Sequence, residues 1–394
     1  MSNDRIKCAI CNAEVHSIEL HLRDKHPEMS LSEYEATYPG WAILSETAQR
    51  MVEEQRRKRA AAAATTTAPT AEVSTAASAV PAIAPGSAAT MRKALHEVFN
   101  LPQKVASNSK GNPIPVNVLV PDNPKLVPNI DDNYVYDPEN LKNCLMALEL
   151  NLPLYVWGHA GTGKTTLIEQ IAARTGRMLL RVQHTVNTEE SHIIGTWAAR
   201  GGETVFDYGP LALAMKHGWT YLADEYDFAL PSVLAVYQPV LEGKSLVIKE
   251  NGAERIDPHP NFRFVATGNT NGSGDETGLY QGTSIQNAAN YDRFHMVIEQ
   301  KYMKPELERE VLMKQAGIAA ADADKLVDFG KKVRESYDGG KISTPISPRT
   351  LIAVADIGLR KSSFRAGVTL CFAGKLTRVD REVVDGLAQR IFGS

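Results

Sequence analysis

The 394-residue chain has little of what marks secreted, membrane-bound or strongly basic proteins. Its four cysteines are too few for a disulfide framework, and no run of about 18 apolar residues could cross a membrane. Lys and Arg (43) nearly balance Asp and Glu (46), so no overall basic charge attracts a polyanion. The first residues lack the apolar core of a signal peptide. These absences predict a cytoplasmic, globular protein with room for two or three domains.

Two of the cysteines, Cys8 and Cys11, have the spacing of a metal-binding pair. His21 and His26 follow on a segment with helical character, which completes the pattern C-x₂-C-x₉-H-x₄-H. A helix would bring both imidazoles to one side, opposite the cysteines. Two thiolates and two imidazoles form a closed, tetrahedral Zn²⁺ site of the structural kind. The pattern therefore predicts structural zinc, with His16 as an alternative ligand.

A change of composition separates this N-terminal part, residues 1–58, from the rest of the chain. Residues 59–90 are almost all Ala, Thr, Ser, Pro and Val, and such a composition offers nothing from which to build a core. Prolines at three positions within it argue against an Ala-rich helix. We therefore predict a flexible linker.

The most informative stretch lies in the middle of the chain and has the form G-x-x-x-x-G-K-[ST]. Residues 154–157 before it predict a short buried strand, and residues 167–174 after it predict a helix. Strand, Gly-rich loop and helix form the context of a phosphate-binding loop, whose N–H groups point at the phosphates. The residues expected to bind ATP are Gly158, His159, Ala160, Gly161, Thr162, Gly163, Lys164, Thr165 and Thr166.

Two acids end a later predicted strand, residues 219–225. Beside a phosphate loop, Asp224 would hold the Mg²⁺ shell together with the Thr165 hydroxyl, and Glu225 would orient or activate the attacking water. Lys164 would reach the β- and γ-phosphates. The alternation of strands and helices around these residues predicts an α/β fold with a mostly parallel sheet covered by helices.

Three further polar residues follow the acids. Asn269 ends the predicted strand 261–269 and would hydrogen-bond the water or the γ-phosphate. Arg293 lies in Tyr-Asp-Arg-Phe, and Arg349 begins a predicted helix with Ser-Pro-Arg. Taken alone, either arginine is more often a surface ion-pair partner. Within this set, both are candidates for stabilising charge on the transferring phosphoryl group.

The order of these motifs resembles AAA+ ATPases of the MoxR group and, within it, the CobS family of aerobic cobaltochelatase subunits. The resemblance covers roughly residues 92–394. Its most specific part is the run Gly-Asp-x-Thr-Gly-Leu-Tyr at residues 274–280. The other residues that carry it are Gly161–Thr165, Asp224–Asp227, Pro258–Arg263 and Ala266–Asn269.

The resemblance implies an AAA+ core at residues 91–300 and a helical lid at 301–394 that carries Arg349 over the nucleotide. It also implies β-hairpins within residues 193–209 and 246–256. Members of the family assemble as hexameric rings, which implies that Arg293 reaches the neighbouring subunit. CobS works with a CobT partner and a large CobN subunit that holds the corrin precursor. The expected partners are therefore CobT-like and CobN-like proteins, with no membrane.

The cysteine–histidine segment, together with Met29–Tyr38, resembles the DNA-binding Ros/MucR zinc fingers. Residues 1–48, however, hold four basic and eight acidic residues, a net charge of 4 − 8 = −4. Because non-specific DNA affinity comes from neutralising phosphates, we expect a docking role and no binding of nucleic acid. Two alternatives to a cobaltochelatase subunit stay open. One is a MoxR-like chaperone ATPase that matures another metalloprotein, and the other is an ATPase that the finger directs to DNA.

Overall fold

The computed structural model describes residues 6–15, 18–26, 29, 31–39, 41–43, 45 and 90–393. These residues belong to two units, and the boundary between the units falls after residue 83. His16 and nearly all of the predicted linker lie outside the described residues. None of the described helices is both long enough and apolar enough to span a bilayer.

The first unit is built from two short hairpin strands and two helices. Its core consists of the buried side chains of Cys8, Ile18, Leu22 and Tyr34. The Tyr34 hydroxyl accepts a hydrogen bond from the Ala9 N–H (2.7 Å), which ties the second helix to the cysteine-bearing turn. The elements are β1 (Ile6–Lys7), β2 (Glu14–Val15), α1 (Ile18–Lys25) and α2 (Leu31–Thr37).

The second unit opens with a leading segment in which one prediction was wrong. The sequence pattern of residues 91–99 predicts one short helix, but Thr90–Ala94 form a strand and only Leu95–Phe99 are helical. Pairing with the apolar strand Pro115–Leu119 overrides the local helix propensity. The elements are β3 (Thr90–Ala94), α3 (Leu95–Phe99), β4 (Pro115–Leu119) and α4 (Pro138–Glu149).

The core that follows alternates strands and helices, with two inserted hairpins. It contains β5 (Leu154–Trp157), α5 (Lys164–Arg174), β6 (Leu179–Gln183), α6 (Glu190–Ile194), β7 (Gly195–Arg200), β8 (Glu203–Tyr208), α7 (Pro210–His217), β9 (Thr220–Asp224), α8 (Pro231–Leu234), α9 (Gln238–Leu241), β10 (Leu246–Ile248), β11 (Glu254–Ile256), β12 (Arg263–Gly268), α10 (Ala288–Tyr291) and β13 (Met296–Glu299).

Five of these strands form one parallel sheet in the order β13-β5-β12-β9-β6. Apolar clusters cover both faces, one around Tyr221 and Phe264 and the other around Leu167 and Ile171. The α/β phosphate-loop fold is thus confirmed, and so are the hairpins β7–β8 and β10–β11 in the expected ranges. Because the strands are parallel, the loop after β5, Asp224 at the end of β9 and Asn269 directly after β12 meet at one edge.

Helices make up the C-terminal part, as predicted. Leu326, Phe329, Leu351 and Val354 are fully buried in its core. The sequence pattern predicts helices at residues 306–315, 321–337, 349–360 and 379–392 and misses a fifth, Phe364–Cys371. Ser363 caps this helix, because its hydroxyl accepts from the Ala366 N–H. The helices are α11 (Pro305–Ala316), α12 (Ala320–Asp338), α13 (Pro348–Arg360), α14 (Phe364–Cys371) and α15 (Arg378–Phe392).

Candidate functional site

The phosphate loop joins β5 to α5 and depends on glycines in left-handed backbone conformations. Gly158, Gly161 and Gly163 have φ values of +150°, +77° and +90°. A Cβ atom at Gly158 would lie 2.3 Å from the Gln300 carbonyl oxygen, and one at Gly161 would lie 2.7 Å from Ser347 Oγ. The loop therefore packs closely against its surroundings, and side chains at these positions would push it out of shape.

Lys164 is the first residue of α5, and its side chain turns back into the loop. Its ammonium group donates to the carbonyl oxygens of Gly158 (2.7 Å) and His159 (3.1 Å) and to Asn269 Oδ1 (3.0 Å). Only 9% of the residue is exposed, and this burial lowers the pKa of Lys164 to about 8. A buried cation held only by neutral oxygens favours an anionic ligand.

Asp224 ends β9 directly beside the phosphate loop. Its Oδ1 accepts hydrogen bonds from the hydroxyls of Thr165 (2.7 Å) and Thr267. Its Oδ2 accepts a hydrogen bond from Arg181 Nε (2.8 Å) and lies 2.6 Å from Arg181 Nη2 in an ion pair. Burial acts to raise the pKa of Asp224, but these hydrogen bonds and the nearby guanidinium outweigh burial and lower that pKa. The side chain is thus held as a carboxylate at the edge of the site.

Glu225 follows in a left-handed conformation, with φ of +52°, which is uncommon for a residue other than glycine. Its backbone N–H donates to Thr267 Oγ1 (3.3 Å), and its carboxylate accepts from Gln183 Nε2 (2.8 Å). The conformation turns the side chain of Glu225 toward the cavity next to the phosphate loop. Backbone strain of this kind is often retained where the position of a side chain matters.

Asn269 lies beside Lys164 because β12 runs between β5 and β9. Asp227, whose side chain is fully buried, holds the loop that carries Asn269. Asp227 Oδ2 accepts from the backbone N–H groups of Asn269 (2.8 Å) and Thr270 (2.9 Å). Burial raises the pKa of Asp227. None of the sequence motifs assigns a role to Asp227.

The specific run at residues 274–282 also contacts the phosphate loop. The Ala160 N–H donates to the Tyr280 hydroxyl (3.0 Å), and His159 Nδ1 lies 2.9 Å from the same oxygen. The His159 ring stacks on Tyr302, with ring centres 5.5 Å apart. The run is therefore part of the wall of the site.

Two neighbouring cavities have the shape and chemistry for a nucleotide. The polar one, of about 190 Å³, is lined by Lys164, Thr165, Asp224 and Asn269 among others. The second, of about 210 Å³, lies between the leading segment and the lid and is lined mainly by apolar groups such as Tyr134, Val135, Met303 and Ile352. A charged cavity beside an apolar one fits phosphates beside a base.

Comparison with known proteins agrees with this geometry. A family model described as "AAA domain (dynein-related subfamily)" matches residues 153–294, and one described as "CbbQ/NirQ/NorQ C-terminal" matches residues 308–392. "Aerobic cobaltochelatase subunit CobS" from a Sinorhizobium species is 32% identical over 309 residues, 75% of this chain and 93% of that protein. The chain belongs to the MoxR group of AAA+ ATPases. "Protein NorQ" from Paracoccus denitrificans is 27% identical over 62% of this chain and 87% of NorQ.

The two candidate arginines of this AAA+ ATPase occupy different places. Arg349, in the first turn of α13, lines both nucleotide-sized cavities. Arg293 lines neither and instead forms an ion pair with Glu242, with Nη2 2.7 Å from Oε1. The structure thus brings Arg349 to the predicted site of its own chain and leaves Arg293 outside it.

The N-terminal unit gathers the four predicted zinc ligands. One ligand atom from each of Cys8, Cys11, His21 and His26 lies within 4.8 Å of all the others. Cys11 Sγ and His21 Nε2 are 3.1 Å apart. Ligand atoms around tetrahedral zinc are about 3.5 Å apart, so the donor set fits this metal. Within the described residues, this is the one group of three or more Cys, His, Asp or Glu side chains close enough to share a metal ion.

Proposed function

We propose that this AAA+ ATPase is the CobS-type motor of a cobaltochelatase and drives the entry of Co²⁺ into a corrin precursor. The observation that carries the proposal is the 32% identity to CobS across 93% of that protein. Within the described residues, no second metal-binding cluster accompanies the N-terminal one. We therefore place the cobalt and corrin sites on CobN-like and CobT-like partners, which this chain would remodel.

In the proposed site, Lys164 binds the β- and γ-phosphates and Thr165 contributes a ligand to Mg²⁺. When bound, Mg²⁺ neutralises charge on the transferring phosphoryl group. Asp224 fixes the Thr165 hydroxyl, Glu225 orients the attacking water, and Asn269 holds that water or the γ-phosphate. The support is geometric, since these five side chains line one cavity of about 190 Å³.

The proposed organisation of the chain follows the same lines. A zinc finger at residues 1–58 and a linker at 59–90 precede an AAA+ core at 91–300 and a lid at 301–394. The matches of the two family models, at 153–294 and 308–392, fall within the last two parts. We propose a homo-oligomeric ring, hexameric as in the family, in which Arg293 serves the neighbouring site.

Reconstitution tests the function directly. The purified chain is mixed with CobN-like and CobT-like subunits, a corrin precursor, Co²⁺ and ATP, and cobalt insertion is followed by absorbance. We expect insertion that requires both ATP and this chain. Vigorous ATP hydrolysis without any cobalt insertion would contradict the cobaltochelatase role.

A general MoxR-type chaperone that matures another metalloprotein is the second candidate. The match of the lid to the CbbQ/NirQ/NorQ C-terminal model and the similarity to NorQ favour it. Proteins that co-purify with the Glu225→Gln variant distinguish the two candidates. Chelatase subunits would support the first, and an unrelated metalloprotein would support the second.

Glu225→Gln is expected to retain ATP binding and to lower kcat by about 10²–10⁴, the usual contribution of a general base. The amide keeps the size of the carboxylate but cannot take a proton from water. Binding is measured by calorimetry and turnover by phosphate release. Glu382→Gln, at an exposed acid of α15 that pairs with Arg378, is the matched control and should hydrolyse ATP normally. A wild-type rate for Glu225→Gln would show that another group activates the water.

We also propose that Cys8, Cys11, His21 and His26 bind structural Zn²⁺. Metal analysis of the full chain should give about one Zn²⁺, which Cys8→Ser and His21→Ala abolish. Cys371→Ser, outside the cluster, should retain the metal. ATPase activity should survive the loss of zinc, because the linker uncouples the finger from the core. Freshly prepared protein without zinc would contradict the finger, and inactive finger variants would contradict the uncoupling.

A further inference from the structure

Arg181 is a charged residue in the nucleotide site to which none of the motifs assigns a role. It projects from β6, the edge strand next to β9. Its Nε–H donates to Asp224 Oδ2 (2.8 Å), and its Nη2 lies 2.6 Å from the same oxygen in an ion pair. Its Nη1 donates to Glu169 Oε1 on α5 (3.2 Å). The guanidinium therefore joins the helix after the phosphate loop to the acid that we propose to support Mg²⁺.

The arrangement follows from the register of the sheet. In the β6–β9 pair, Gln183 lies opposite Asp224 and Arg181 lies opposite Leu222. Residues i and i+2 of a strand point to the same face, so Arg181 and Gln183 both face the acids that end β9. Gln183 binds Glu225 and Arg181 binds Asp224. The edge strand thus supplies a separate polar partner for each acid.

The hydrogen bonds of Asp224 leave little room for direct coordination of a metal. Two hydroxyls donate to Oδ1, and the guanidinium covers Oδ2 with one hydrogen bond and one ion-pair contact. The Thr165 hydroxyl donates its proton to Asp224, so its oxygen lone pairs remain for a cation. A cation bound by Thr165 would lie close to the positive charge of Arg181, because Thr165 and Arg181 contact the same carboxylate.

We propose that Arg181 is a positioning residue that keeps Asp224 out of direct contact with Mg²⁺ and weakens Mg²⁺ binding at the nucleotide site. The inference rests on the proposed roles of Thr165 and Asp224. Like charges repel, so a guanidinium beside the site raises the free energy of a bound dication. Removing it frees one oxygen of Asp224 and removes this repulsion. Both changes tighten the binding of Mg²⁺ to the nucleotide-loaded protein.

The test is a Mg²⁺ titration of the full chain with a fluorescent ATP analogue, together with direct Mn²⁺ binding followed by electron paramagnetic resonance. Arg181→Met keeps an apolar stem and removes the charge. We expect it to lower the Mg²⁺ concentration for half-maximal binding on the order of tenfold, and the Mn²⁺ Kd by a similar factor. Arg181→Gln should shift both quantities in the same direction, and it replaces the methionine variant if that variant does not fold.

Two controls separate this role from simple support of the strand. Arg181→Lys keeps the charge, so its metal affinity should stay within about threefold of that of the wild type. A shift in affinity as large as that of Arg181→Met would overturn the role of charge. Glu169→Gln removes the other partner of Arg181 but keeps the guanidinium and its contact with Asp224, so it should not tighten metal binding. A folded Arg181→Met protein with unchanged or weaker metal binding would overturn the inference. Failure of the proposed site itself would look different, because the wild-type protein would then bind no nucleotide in a Mg²⁺-dependent way.

Discussion

Lys164→Ala is expected to weaken ATP binding by roughly 10²–10³-fold, as when one partner of a buried, hydrogen-bonded charge pair is truncated. The ammonium group lies inside the phosphate loop and is held by the carbonyls of Gly158 and His159 and by Asn269 Oδ1. In the ATP complex, charged phosphate oxygens would replace these neutral acceptors of Lys164. Charge-assisted hydrogen bonds of this kind are about twice as strong as hydrogen bonds between neutral groups. The variant loses these bonds together with the charge.

Calorimetric titration with ATP and Mg²⁺ gives the Kd of each variant, and the melting temperature shows whether it is folded. Lys332→Ala is the matched control, because Lys332 forms an exposed ion pair with Asp328 on α12 and should leave affinity unchanged. A folded Lys164→Ala protein that binds ATP as tightly as wild type would show that the loop does not hold the phosphates.

The sequence predicted those parts of the site that a local pattern marks, either within one segment or at the end of an apolar strand. Strand, loop and helix from Leu154 to Arg174 are adjacent in the chain, so their order alone predicts the phosphate-binding loop. Asp224, Glu225 and Asn269 end apolar strands, and the parallel arrangement of those strands brings them together. In each case a local pattern was sufficient.

The residues that the prediction missed act across the sheet. Arg181 and Asp224 are 43 positions apart and meet only through the β6–β9 register, which no local pattern contains. Asp227 likewise holds Asn269 from another segment. The only sequence feature that pointed to Asp227 was its place in the run Asp-Glu-Tyr-Asp. The helix predicted at residues 91–94 was wrong for the same reason, because pairing with a distant strand outweighs helix propensity.

Arg293→Ala is expected to bind ATP normally and to hydrolyse it about 10³–10⁵-fold more slowly, the usual contribution of an arginine supplied in trans. In its own chain Arg293 pairs with Glu242 and lines neither nucleotide-sized cavity. We therefore propose that it neutralises transition-state charge at the site of a neighbouring subunit in the proposed ring. Arg360→Ala, which removes an exposed arginine on the lid, is the control and should be fully active.

Mixing experiments identify the subunit on which each arginine acts. A ring containing both Arg293→Ala and Glu225→Gln subunits has sites where an intact Glu225 faces an intact Arg293 from the Glu225→Gln neighbour. Steady-state ATPase activity should therefore pass through a maximum as the mixing ratio changes. Arg349 lines the same cavity as Lys164 and Glu225 of its own chain, so we assign it to its own site. Every Arg349→Ala subunit then lacks the arginine and every Glu225→Gln subunit lacks the acid, so mixing these two variants gives no site with both groups intact. Equal rescue by both arginine variants, or rescue by neither when subunits exchange, would show that the wrong arginine has been assigned to the subunit interface.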